Sequence, residues 1–330
     1  MTITTRLGTW AACAALAVLT GLPAAAQVVG IVTDQPGSLG YNAGQAVAKI
    51  ANQEGGILAR AQPLAGTRAY MPLINNGEFD FGFGNAVEVA YAYEGSHSFD
   101  DLPNPDLRLV GVMFPLRTGL MVTADSGIVT IEDVRDRSSE IRVASDYTAS
   151  TIIADIISGG LANGDMTYDD LINVPVSNFV KGMEALGEGL VDLTLISLNS
   201  AGGKEVNAKL QNRGGIRYVS LDMSEEGQEK LRTYLPTASV IRLEANPDIP
   251  GLGEAANIIE FPWVMVASSH TSDEVVYDMV KTLAEHQDAL AASFGPFRNM
   301  SVPTMAPVSS VPYHPGALRY YEEAGIAVDG

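Results

Sequence analysis

The sequence predicts an α/β protein of two lobes, and three observations carry that reading. Apolar runs of strand length alternate with helix-period stripes along nearly the whole chain. At 330 residues the chain is long enough for two hydrophobic cores. No internal repeat or low-complexity linker interrupts the rhythm.

The first segment reads as an address. Arg6 supplies a positive start, Trp10 to Leu22 is a short apolar stretch, Pro23 breaks it, and Ala24-Ala25-Ala26 offers the small residues a signal peptidase requires. Residues 1–26 are therefore expected to be a cleaved secretory signal, with Gln27 first in a mature periplasmic protein. The apolar stretch is shorter than the ~20 residues of a membrane span. Cys13, the only cysteine, falls inside this segment, so neither a disulfide nor thiol chemistry is expected afterwards.

Each later element has its own signal. Val28 to Val32 reads as a buried strand, broken by Pro36-Gly37-Ser38. Ser38 is placed to cap a helix with its stripe on Ala43, Ala46, Val47, Ile50 and Ala51, stopped by Gly55-Gly56. Gly66-Thr67 opens a second helix that stops near Asn76-Gly77, with Pro72 expected to kink it. Phe79 to Phe83 is a strand and Val87 to Tyr93 a helix; Leu107 to Val112 and Leu120 to Val122 read as two further strands. Thr130 with Asp133 resembles a capping box. Ile141 to Ala144 is a strand whose polar loop, Asp146 to Ser150, feeds a helix over Thr151 to Ile157. A helix is expected to start at Tyr168 to Leu171. Val191 to Ile196 and Val264 to Val266 complete the strands, and Thr271 with Glu274 is expected to cap the helix that carries Val275 to Leu283.

Charge excludes one class of partner. The net charge of −19 argues against nucleic acid, because phosphates bind through Lys and Arg. An anionic ligand would then need a locally positive site, built from helix N-termini or a single arginine.

The tail Val311-Pro312-Tyr313-His314-Pro315-Gly316-Ala317-Leu318-Arg319-Tyr320-Tyr321-Glu322-Glu323 resembles the C-terminal signature of TAXI-type solute receptors, the substrate-binding proteins of one branch of the TRAP transporters. Asn76 to Asp80, Thr123 to Gly127, Leu161 with Met166 to Leu171, and Asp273 to Tyr277 follow in that family's order. The resemblance implies a two-lobed type II periplasmic-binding-protein fold with the ligand in the cleft between lobes. Residues 27–118 plus 266–330 would form one lobe and 119–265 the other, with hinges near Leu116 to Val122 and Pro262 to Ala267. It implies a small anionic metabolite, a glutamate-like, dicarboxylate or 2-oxo acid, as ligand, TRAP-type permease subunits as partner, and no cofactor.

Ligands of parallel α/β sheets sit beyond the carboxyl ends of strands, where helices begin. Four post-strand segments have that character here, and the resemblance carries Ser38, Tyr41, Gly66, Thr67, Asn85, Thr148, Ala149 and Ser150 into the site. A carboxylate is expected on the N–H groups and hydroxyls of Thr148 to Ser150, opposite Ser38, Tyr41 and Thr67. Arg117 is the first candidate to pair with it, ahead of Arg68, Arg242 and Arg142. The sequence departs from the family pattern at Asp34, Pro36 and Ala149, where small, hydroxylated or glycine positions are usual. These departures put the usual ligand in question.

Catalytic readings find little support. His97, His270, His286 and His314 have no metal-ligand spacing, and His314 reads as part of a proline-flanked structural turn. Neither a nucleophile elbow nor a phosphate-binding glycine loop occurs. A receptor presenting its ligand to a membrane signalling protein and an exported hydrolase with a dispersed triad remain as alternatives.

Overall fold

A computed structural model describes residues 28–328. The proposed signal segment, including Arg6 and Cys13, lies outside the described residues. The first half-lobe follows the expected rhythm: β1 (Val29–Thr33), α1 (Leu39–Gln53), β2 (Ala59–Pro63), α2 (Thr67–Asn75), β3 (Phe81–Asn85) and α3 (Ala86–Glu94). Ser38 caps α1 by accepting the Tyr41 N–H at 3.0 Å, and the predicted stripe from Ala43 to Ala51 is buried. Helix α2 runs through Pro72 without ending there.

Two long strands differ from the expectation. The runs at Leu107–Val112 and Leu120–Val122 are parts of one 17-residue strand, β4 (Leu107–Thr123). The intervening Phe114-Pro115-Leu116-Arg117-Thr118 hides the continuity, because a proline within an apolar run reads as a strand end. Its partner, β10 (Ala256–Ser268), likewise extends well beyond Val264–Val266. The two pair antiparallel, with Pro115 opposite Pro262. Proline has no N–H to give to a ladder, so facing prolines leave this ribbon weakly bonded at its middle.

Between them lie α4 (Ile131–Asp136), β5 (Arg142–Asp146), α5 (Ile152–Asn163), β6 (Ile172–Val176), α6 (Phe179–Gly187), β7 (Thr194–Ser197), α7 (Ala201–Lys209), β8 (Ile216–Tyr218), α8 (Glu225–Arg232) and β9 (Ser239–Leu243). Three helices follow β10: α9 (Asp273–Glu285), α10 (Gln287–Ser293) and α11 (Pro315–Glu323). The capping box of Thr130 and Asp133 is present at α4. The helix expected at Tyr168 is instead a single 3-10 turn, Tyr168–Asp170, because Leu171 is already extended and leads into β6. The cap of α9 is Ser272, whose hydroxyl accepts the Val275 N–H; Thr271 donates to the Asp80 carbonyl instead.

The main sheet runs β2-β1-β3-β10-β4-β7, with β9 joining β10 and β8 joining β4. Strands β5 and β6 pair in parallel and meet the segment before β7 through Val143 and Leu193. The outer half of β10 pairs with β3 and its beginning with β9, so the two long strands serve both halves of the molecule. The cores divide in the same way. One cluster draws on residues from Leu120 to Phe261; the others hold Ile31, Val47, Phe83, Phe114, Trp263 and Met265, and, on the other face, Tyr70, Val264 and Val266. Leu116 packs against both sides. Among the described residues no helix is long and apolar enough to cross a membrane.

Candidate functional site

The helices α1, α2 and α3 on one side, and α5 and α6 on the other, point their N-terminal ends at a partly open cavity between the two cores. The sequence produces this arrangement by placing each helix start directly after a parallel strand. Ser38, Thr67 and Asn85 line the cavity from the first side and Ser150 from the second, and all four are buried. Thr118 and Leu116 of β4, with Phe261 and Trp263 of β10, form its back wall where the long strands cross.

The sides touch around the cavity. Thr67 Oγ1 lies 3.4 Å from Ser150 Oγ. The Gly202 N–H donates to the Gly37 carbonyl at 2.8 Å, and Asn178 Nδ2 to Gln35 Oε1 at 3.3 Å. Gly66 does not line the cavity but stands against the other side, where a Cβ would come 2.3 Å from the Ala149 carbonyl oxygen.

The remaining expected residues stand elsewhere. Tyr41 sits in the first turn of α1 and supplies the N–H that Ser38 caps, without lining the cavity. Thr148 is exposed. The Ala149 N–H donates to the Ser177 carbonyl at 2.9 Å and the Ser150 N–H to that of Tyr147 at 2.8 Å. Two of the donors expected to cradle a carboxylate are thus engaged within their own lobe. Asp146 and Tyr147 both adopt positive φ, 67° and 45°, which turns this loop without the glycines of the family pattern. The Tyr147 ring is anchored by a 3.0 Å contact between its hydroxyl and Thr194 Oγ1. Arg117 points away from the cavity into a 2.7 Å ion pair with Glu260, its register partner on β10. Arg68 bonds the Ser98 carbonyl, Arg142 pairs with Asp192 and Arg242 with Glu244.

Two acids that the sequence reading did not place in the site line it. Asp34, the first residue after β1, reaches the cavity beside Gly40, where a Cβ would come 2.8 Å from its Oδ2. Burial pushes its carboxyl up to about 7. Glu88 in the first turn of α3 is buried; its Oε1 accepts from Thr67 Oγ1 and its Oε2 from Asn85 Nδ2 at 3.4 Å, while its backbone N–H donates to Asn85 Oδ1 at 2.8 Å. Burial holds its carboxyl well above the usual range against the Thr67 hydrogen bond, with Asp34 and Asp155 adding to the rise. A signal for both existed. An acid placed immediately after a buried strand stands where ligands bind, and Asn85 with Glu88 is a capping pair that reads as local structure alone. Among the described residues no Lys, Arg or His lines the cavity.

The cavity lies between two α/β cores that share two crossing strands, an arrangement that defines the type II periplasmic-binding-protein fold. Solved structures with this fold include the periplasmic binding protein BugD (TM-score 0.56, 14% identity, 91% of this chain and 98% of that one). MatC from Rhodopseudomonas palustris, solved with bound malate, is similar at TM-score 0.56 and 14% identity over 84% of this chain and 90% of that one. PhnD1 from Prochlorococcus marinus, in complex with methylphosphonate, is similar at TM-score 0.55 and 9% identity over 91% and 99%. At such identities the likeness is one of fold. The chain itself belongs to the NMT1-like family, whose sequence profile matches residues 31–325.

Proposed function

We propose that this protein is the extracytoplasmic solute-binding component of a membrane transporter, exported by its N-terminal signal and delivering a small solute to a permease. The transporter would be of the TRAP type, TAXI branch, that the tail from Val311 to Glu323 resembles. The observation that carries the reading is the cavity between the two sides onto which buried hydroxyls from both converge, Thr67 from one and Ser150 from the other. A solute touching both sides stabilises the closed form by its differential affinity for that form over the open one. The division into lobes falls at the facing prolines, Pro115 and Pro262. Trp263, Val264 and Met265 then belong with residues 28–114, three positions earlier than a boundary at 265/266.

The test uses the purified mature protein and a small-molecule extract of bacterial cells. Solute capture raises the unfolding temperature by mass action and compacts the protein in X-ray scattering, with the extract recovered chemically unchanged. Vesicles holding the permease subunits accumulate the bound solute only when the protein is added. An extract that neither stabilises nor compacts the protein overturns the reading, and consumption of the solute would favour the exported hydrolase.

A further inference from the structure

The geometry points to a ligand that carries a cationic nitrogen, an amine or amidine on a small apolar body, with Asp34 and Glu88 as its counter-charges. This rests on the reading of the cavity as a solute site.

The cavity is chemically two-sided. Its acids, Asp34 and Glu88, both come from the first lobe. The second lobe contributes mostly hydrocarbon: Ile152, Ile153 and Ile156 of α5, Phe179 of α6 and Leu195 of β7. A third acid, Asp155 on α5, lies close enough to raise Glu88, and its buried Oδ2 has no hydrogen-bond partner. Burial raises Asp155 to about 6, and the only charge acting to lower it is His97. Around the acids, Thr67 and Asn85 donate to Glu88 while the Tyr70 hydroxyl donates to the Phe83 carbonyl, and none of the three carries a positive charge.

An anion would enter this cavity against buried carboxyl groups and find no cation. The N–H groups of Ala149 and Ser150 are already spent on Ser177 and Tyr147. A neutral polar ligand would leave the acids to be neutralised by protons alone. A protonated nitrogen instead supplies the missing charge and up to three donors, and charge-assisted hydrogen bonds of this kind are the strong ones. A metal ion does not fit, since among the described residues no group of three His, Cys, Asp or Glu is placed to hold one. Burial makes each acid costly to ionise in the empty protein, so binding an ammonium requires proton release from them and strengthens as pH rises towards 8.

The experiment splits the small-molecule extract by ion exchange into cationic, neutral and anionic fractions and follows thermal unfolding at pH 8 and pH 5.5. The cationic fraction is expected to stabilise the wild type, more at pH 8, and to weaken by about tenfold to a hundredfold in apparent affinity with Asp34→Asn or Glu88→Gln. Circular dichroism establishes that each variant is folded, and retention of ligand affinity in both folded variants overturns the assignment. Should Glu88→Gln not fold, Asp34→Asn and the pH dependence of the wild type decide it. Stabilisation by the anionic or neutral fraction alone overturns the cationic ligand and leaves a solute receptor standing. Stabilisation by no fraction removes both.

Discussion

Gly66 and Ala149 meet across the cleft so closely that a Cβ on the first would lie 2.3 Å from the carbonyl oxygen of the second. Gly66 precedes α2 and Ala149 lies in the loop that leads to α5 in the other lobe, and they can approach only because position 66 has no side chain. Gly66→Val is therefore predicted to block closure while leaving each lobe intact. Overpacking costs about 1–3 kcal/mol, which here falls on the closed form and weakens solute binding about fivefold to 150-fold. Scattering on the variant with saturating extract checks this: compaction equal to that of the wild type would show that the approach of Gly66 to Ala149 is not needed for closure.

Arg117 and Thr148 give the opposite prediction. Arg117 is held by Glu260 and Thr148 is exposed outside the cavity. Arg117→Ala and Thr148→Ala should each leave solute affinity within about threefold, as surface changes away from a site do. Thr67→Val removes the hydroxyl that bonds Glu88 and faces Ser150, and should cost about 1–3 kcal/mol of stability through the orphaned carboxyl. Calorimetry on the three variants separates them, and a strong loss with Arg117→Ala would return the arginine to the site.

The pH dependence of the empty protein follows from Asp34. Its carboxyl is near 7 when folded and near 3.8 when unfolded, so the folded state prefers the protonated form. The associated stability is fully present below about pH 4 and is lost as pH rises towards 7, by at most about 4 kcal/mol. Asp34→Asn should remove this fall, leaving a flatter stability profile between pH 4 and 7 in urea titrations. A fall of unchanged size in the variant would assign it to Glu88 or Asp155.

His314 titrates in the other sense. It is buried, its Nδ1 accepts the Gly316 N–H at 3.1 Å to cap α11, and its Nε2 lies 3.1 Å from the Thr271 carbonyl. That pairing requires a neutral ring with the proton on Nε2, and burial lowers its pKa below the ordinary 6.5 against the pull of Asp273. The cap contributes stability above the unfolded pKa and loses it as pH falls below that value. His314→Ala should destabilise the protein by about 1–2 kcal/mol through the lost cap. His314→Asn, which can still accept the Gly316 N–H, should recover part of it in thermal unfolding.

How much was legible depended on the range of the interaction. Ser38 and the Thr130–Asp133 box are set by neighbours three residues away, and both appear as read. His314 likewise caps with the N–H two residues on. The errors came where a partner distant in the chain overrode a local signal. Leu107 to Thr123 is one strand because β10 pairs with it from Leu107 to Thr118, across a proline that locally reads as an end, and β7 and β8 pair with the rest. Thr271 lost the cap of α9 to Ser272 because its hydroxyl is drawn to Asp80 on another element.

The site divides in the same way. The sequence by itself determined the alternation of strands and helices, and with it the placing of Ser38, Thr67, Asn85 and Ser150 at helix starts beyond strand ends, because period and capping are local properties of the chain. Only the tertiary structure decided what those residues face. It turned Arg117 onto Glu260, engaged the N–H groups of Ala149 and Ser150, and brought Asp34 and Glu88 into one cavity. A side chain's partner and its burial depend on residues brought together from the whole length of the chain, and burial is what changes the charge state of an acid.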